Sequence, residues 1–238
     1  MNTLLLRLAA PMQSWGAESM FDNRLTHTEP TRSGVIGMLA AAMGMRRDEP
    51  LDVFDGMKFG VRIDQVGKLG RDFHMVHSEA QNSSWVTNRY YLYDAAFLVG
   101  LEGETQFLQE IDEALSHPAF PLYLGRRSCP ASGRVSLGMR EKNLGQALAE
   151  EPWIAAQWYR KSAPRKNLAY LEIMRDAVDG ETGYSVHDVP VSFNPVRRRY
   201  GYRDVVREKV LISAVCRDEY PVGECRNTEH DPFAILEG

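Results

Sequence analysis

The segment Leu122-Tyr123-Leu124-Gly125-Arg126-Arg127-Ser128-Cys129-Pro130 sets two adjacent arginines beside a tyrosine, a glycine and a serine. A guanidinium offers a planar fork of donors to a phosphate, and a tyrosine ring offers a face on which a base can stack. The same residues also suit a solvated surface turn, and composition leaves both readings open. A second constellation is Thr31-Arg32-Ser33-Gly34, at the start of an apolar run. Uncommitted N–H groups at a helix N-terminus attract anions, and Arg32 would strengthen the attraction. Plain capping by Thr31 or Ser33 is the alternative. In Met12-Gln13-Ser14-Trp15-Gly16, Gln13 suits a base edge and Trp15 a base face, or else Trp15 plugs the core. Asn88-Arg89-Tyr90-Tyr91 suits a grip on RNA, or aromatics packed on an edge strand. Arg197-Arg198-Arg199-Tyr200-Gly201-Tyr202-Arg203 interleaves bases and rings, as nucleic-acid binders do, or forms a solvated charged face.

Catalytic chemistry is harder to find. The histidines are His27, His74, His77, His117, His187 and His230, and no H-E-x-x-H, G-x-S-x-G or P-loop accompanies them. His74 and His77 fall near Tyr90 and Tyr91 and could form an acid–base pair for RNA cleavage, or be ordinary surface residues. Cys129, Cys216 and Cys225 form no C-x-x-C, which argues against a disulfide framework and a zinc site. Reduced cytoplasmic thiols are the simplest account. No metal or cofactor is expected, and beyond His74 and His77 no catalytic candidate stands out.

These residues must be held by a framework. Leu4, Leu6 and Leu8 alternate with Thr3, Leu5 and Arg7, which predicts a strand that Pro11 stops, followed by a polar, irregular stretch to Pro30. The run 31–43, capped by Thr31 or Ser33 and ended by Gly44, predicts a helix. It is apolar nearly all round, so it must be buried. Residues 57–66 and 91–101 predict strands. Between them 74–89 is a polar excursion, with a turn at Asn82-Ser83-Ser84, that suits a protruding hairpin. Phe107, Leu108, Ile111 and Leu115 share one stripe of a helix over 104–116, ended by Pro118. A short strand is expected near Phe120–Leu124. The order β-α-β-β-α-β is that of a ferredoxin-like, RRM-like α+β core. Beyond about residue 140 the pattern changes: helix over 144–158 interrupted by Pro152, a basic loop over 160–166, and strands at 168–174, 186–193 and 209–216. This predicts a domain over 1–140 and a smaller β-rich C-terminal subdomain over 141–238.

The 238 residues are 44% hydrophobic and 25% charged, which suits a globular chain and argues against disorder. The N-terminus lacks a basic lead, Arg7 breaks its apolar run, and no uninterrupted membrane span follows, so neither targeting nor a membrane partner is expected. A net charge of −4 counts against nucleic-acid binding, unless charge is segregated. It is: Glu102, Glu104, Glu110, Asp112 and Glu113 cluster in one stretch, and Arg126-Arg127 and Arg197–Arg199 in others. Such a surface can present a positive groove on an acidic protein.

Leu4–Gly16, Pro30–Leu39 and Tyr123–Pro130, in this order and spacing, resemble the CasD family, the RNA-binding subunits of the type I-E CRISPR Cascade complex, of the RAMP superfamily. Asp72-Phe73-His74 and the 91–96 run are similar in place and character. The resemblance covers residues 1–130 well and the last third loosely. It implies a ferredoxin-like core with a long hairpin thumb over about 74–89. It implies a grip on the 5′ handle of the CRISPR RNA (crRNA) at one end of the complex, contacts with the backbone subunit CasC and the large subunit CasA, and contact with target DNA only through the complex. By the same resemblance Arg89 falls at the base of the thumb, and Tyr123, Arg126, Arg127 and Ser128 fall in the RNA-facing loop. Gln13, Trp15, Arg32 and Ser33 match family motifs. A non-catalytic role in the prokaryotic cytoplasm is implied, because another subunit, CasE, cuts the RNA in type I-E. The related type I-C subunit is itself an endonuclease, which keeps a metal-independent nuclease as one alternative and a purely structural subunit as another.

Overall fold

The computed structural model describes residues 2–16, 23–78, 83–163, 166 and 168–215. β1 (Asn2–Gln13) buries Leu4, Leu6 and Leu8 on one face and Leu5 on the other, so it lies in a sheet covered on both sides. Pro11 does not stop it, because Ala10 pairs with Ala95 and Met12 with Tyr93 across it. The odd residues turn their amides away from that partner strand: Arg7 N donates to Val135 O, and Ala9 O accepts from Ser132 N. The N–H that proline lacks is therefore on the side with no ladder to break. The stretch that follows is less irregular than its polarity suggests. β2 (Trp15–Gly16) pairs with β4 (Thr26–His27), and β3 (Asn23–Arg24) runs parallel to residues 88–89.

α1 (Arg32–Ala42) starts at Thr31, whose Oγ1 accepts from Gly34 N at 3.2 Å. As its all-round apolarity requires, Val35, Ile36, Met38, Leu39, Ala40 and Ala42 are buried. A 3-10 turn (Asp52–Phe54) leads to β5 (Lys58–Gln65). β6 (Lys68–Ser78) and β7 (Ser83–Gly103) then form an antiparallel ribbon. The polar excursion expected at 74–89 is the outer half of this ribbon, and β7 runs unbroken into the strand expected at 91–101. The tip, 79–82, lies outside the described residues, as do Cys216, Cys225 and His230. α2 (Thr105–Ser116) buries Leu108, Ile111 and Leu115.

The strand expected at Phe120–Leu124 does not form. Pro118, Pro121 and Pro130 limit donors there, and one bridge, Tyr123 to Pro130, is all that remains. β8 (Ser136–Arg140) takes the place beside β1 instead. Downstream come α3 (Leu144–Glu150), α4 (Gln157–Ser162), β9 (Tyr170–Asp176), β10 (Tyr184–Ser192), β11 (Arg199–Leu211) and α5 (Ile212–Val215). The last strand thus begins ten residues before the expected 209 and gives way to helix at Ile212, and part of the expected basic loop is α4.

The main sheet runs β10-β11-β9-β5-β7-β1-β8. α1 and α2 pack on the face that carries Leu4, Leu6 and Leu8, and α3 packs on the opposite face against Leu5 and Leu98. Arg62, fully buried on β5, ties α3 down: it pairs with Asp64 at 2.6 Å and donates to the carbonyls of Leu148, Glu151 and Pro152. Those carbonyls lie at and just beyond the end of α3, where helical partners run out. Because β9 pairs with β5, the C-terminal strands continue the same sheet.

Candidate nucleic-acid interface

The three N-terminal constellations meet at one place. Ser14 N donates to Leu124 O at 3.1 Å, and Ser14 Oγ donates to Tyr90 O at 3.3 Å. Gly125 sits against them with φ 87°, and a Cβ there would lie 1.6 Å from Ser14 O. Only glycine tolerates both the left-handed backbone and the contact. Trp15 presses on the start of α1, where a Cβ on Gly34 would be 2.9 Å from the Trp15 ring. The loop 123–130, the end of β1 and the head of α1 are thereby locked together at the root of the β6–β7 ribbon.

Within this lock the arginines differ. Arg126 is half-buried over the Tyr91 ring at 4.8 Å and donates to Tyr90 O, Arg24 O and Leu25 O. It fastens the loop to β7 and β3. Arg127 and Ser128 are exposed, and Arg127 has no partner among the described residues. Ser128 Oγ lies 3.5 Å from the Tyr91 hydroxyl. Tyr123 is half-buried. Arg89, opposite Asp72 and beside Arg24, keeps an enclosed Nε with no hydrogen-bond partner. Arg24 and Arg71, beside it in the strand registers, are exposed, and so is Arg127 in the loop that Arg126 ties to Arg24. Cys129 is fully buried and packs in the loop, and that burial raises its thiol above the ordinary pKa.

Four expected contact residues are placed elsewhere. Gln13 and Trp15 are both fully buried. Gln13 Nε2 donates to Ala95 O at 2.7 Å and its Oε1 accepts from Trp15 Nε1, so neither side chain is open to a base. Their motif is the plug, not the reader. Arg32 turns inward to Asp176 at 2.9 Å and to Met57 O. The anion expected at the head of α1 is Asp188 of β10, whose Oδ2 accepts from Arg32 N at 2.8 Å. Desolvation lowers the Arg32 pKa from its usual value despite Asp176. Ser33 is half-buried, with its hydroxyl 3.4 Å from Thr31 Oγ1. Arg203 completes the clamp, bonding to Asp188 and Asp176.

His74 and His77 do not form a pair. The β6–β7 register is unbroken, so residues three apart point to opposite faces. His74 lies 3.2 Å from Asp72 and His77 2.7 Å from Ser84 Oγ. Among the described residues no group of three His, Cys, Asp or Glu could hold a metal, and no helix is long and apolar enough to cross a membrane.

The family described as "CRISPR-associated protein (Cas_Cas5)" matches residues 3–206. The chain belongs to the Cas5 family. Its motif resemblance to CasD is borne out by the CRISPR system Cascade subunit CasD of Escherichia coli (strain K12), 36% identical over 156 residues, 57% of this chain and 70% of that protein. Two solved structures are similar along most of the length. One, "Crystal structure of Cas protein", is 37% identical with a TM-score of 0.72, over 90% of this chain and 98% of that one. The other, "CRISPR RNA-guided surveillance complex", is 32% identical with a TM-score of 0.73, over 99% of this chain and all of that one.

In this Cas5 chain the sequence reading missed two features. Arg24 reaches the ribbon root through β3, a two-residue strand with no sequence signal. The outer ribbon exposes Leu69, Phe73, Met75 and Val86 on one face, following the register pairs. Their period-two spacing from Leu69 to Met75 was the available signal.

Proposed function

We propose that the chain is a non-catalytic subunit of a type I-E Cascade complex that holds the 5′ handle of crRNA and caps the backbone filament. The neighbouring strand order β8-β1-β7-β5, with α1 and α2 on one face, supports a ferredoxin-like core over 1–140 extended by the C-terminal strands of 141–238. The β6–β7 ribbon is the thumb in this reading. α3 covers the face that an RRM leaves open, so RNA follows the loop and ribbon root rather than the sheet. The observation that carries the proposal is the lock of Ser14, Gly125 and Arg126, which leaves Arg127 exposed in the same loop as Tyr123 while Arg126 ties that loop to Arg24, the register partner of Arg89.

Each part has a role. Arg127 with Arg24 and Arg89 neutralises handle phosphates, and Tyr123 offers a ring edge or face to a base. Arg126 holds the loop that presents them. CasC and CasA are the protein partners, the cytoplasm is the site, and target DNA meets the chain through guide pairing in the complex. Separation of His74 from His77 supports holding without cutting.

The test is a titration of the full chain with labelled repeat RNA, without metal, followed on a gel. R126A/R127A should weaken binding and lower the log–log salt slope by about 0.7 for each lost single-strand phosphate contact. Specific cleavage, lost on changing His74 or His77, would instead support the nuclease reading, and partner binding with no RNA affinity would support a purely structural one.

A further inference from the structure

The β10–β11 ribbon has two unlike faces. One is sealed to the core by Asp188 and Arg203, and Phe193, just past β10, packs near Gly37 of α1. The other carries a ring platform: His187 and Tyr202 stack with centroids 4.4 Å apart and planes 23° apart, and Tyr200 meets His187 edge-on at 6.1 Å. Tyr202 is 71% exposed, so the outer side of the stacked pair is open. At the same end Arg197, Arg198 and Arg199 are exposed and have no acidic partner among the described residues. Asp204 faces solvent further along β11, which leaves the positive charge concentrated at the Arg197–Tyr202 end.

We propose that this face is a second contact for single-stranded nucleic acid, separate from the loop at 123–130. A base stacks on Tyr202, backed by His187, and Arg197–Arg199 meet the adjoining phosphates. The combination is what sequence-tolerant single-strand surfaces use: a ring for any base and cations for the backbone. An acidic protein partner would account for the arginines, but not for a pre-stacked pair of rings with one open side. The surface lies on β10–β11 at the end of the sheet, and its proposal does not depend on the handle reading.

The test uses the full chain and a fluorescent oligouridine, roughly a dozen nucleotides long and free of repeat sequence. Tyr202→Ala should weaken binding about 5- to 150-fold, while Tyr202→Phe keeps it. R197A/R198A/R199A should lower the salt slope by about 2. With 4-thiouridine in the oligomer, photo-crosslinks should map to residues 197–203. Repeating the Tyr202→Ala comparison in an Arg127→Ala background separates the two surfaces: the Tyr202 effect persists if the sites are distinct. No binding by the parent chain, equal affinity of Tyr202→Ala and the parent, or an effect that vanishes in the Arg127→Ala background would overturn the proposal. So would loss of a protein partner from the variants with RNA binding intact.

Discussion

The clamp between α1 and the C-terminal strands and the loop at the ribbon root are both built on arginine, to opposite ends. In the clamp, Arg32 and Arg203 are nearly enclosed and matched by Asp176 and Asp188. In the loop, Arg126 is matched by backbone carbonyls while its neighbour Arg127 is left exposed. A buried guanidinium without its carboxylate is strongly unfavourable, whereas an exposed one is fully solvated and available to a phosphate. Side-chain type says little about which role an arginine takes. The acceptors within reach, carboxylate or backbone carbonyl, decide it.

The largest effect that would break this contrast is at the clamp. Asp176→Ala leaves the Arg32 side chain without its carboxylate and Arg203 with Asp188 alone, and should destabilise the fold by about 3–5 kcal/mol in a denaturant titration, as removal of one partner from a buried ion pair does. A loss under about 1 kcal/mol would mean the clamp is no more than a surface pair. Trp15→Ala should cost a similar ~3–5 kcal/mol by emptying the space between β1 and α1, and should leave the salt slope of RNA binding unchanged. A changed slope would return Trp15 to the interface. Gly125→Ala should cost at least about 1–3 kcal/mol for the left-handed backbone alone, with the Ser14 contact adding to it, and should lower RNA affinity by displacing Arg127.

The smallest effect concerns a third arginine. Arg175 holds Glu181, whose carboxyl pKa is lowered to about 2, first by the paired hydrogen bonds from Arg175 and then by the one from Val178 N. The folded value lies below the unfolded value of about 4.3, so the pair contributes fully above that pH. The contribution is lost as pH falls through about 2. Glu181→Gln should flatten the acid limb of the stability profile in that window. An unaltered limb would show the pair to be inert in solution.

Much of this architecture was legible. Period-two leucines placed β1, the stripe of Phe107, Leu108, Ile111 and Leu115 placed α2, and Thr31 set the start of α1. What escaped were choices made by distant residues. Pro11 reads as a stop until β7 supplies a partner on the side that needs no proline N–H. Phe120–Leu124 has a strand's composition, but its flanking prolines leave β8 the better neighbour for β1. At the site the motifs were found, but their division of labour was not. Gln13, Trp15 and Arg32 share segments with exposed residues, and only Ala95, Gly34, Asp176 and Asp188, far off in sequence, show that they face inward.

The measurement that tests the central claim most directly is the salt dependence of 5′-handle RNA binding by the full chain, with Arg127→Ala beside the parent and a gel to check that the RNA stays intact. The account predicts intact RNA, unchanged protein stability, and a log–log slope reduced by about 0.7 in the variant. An unchanged slope, or RNA cut by the parent chain, would contradict it.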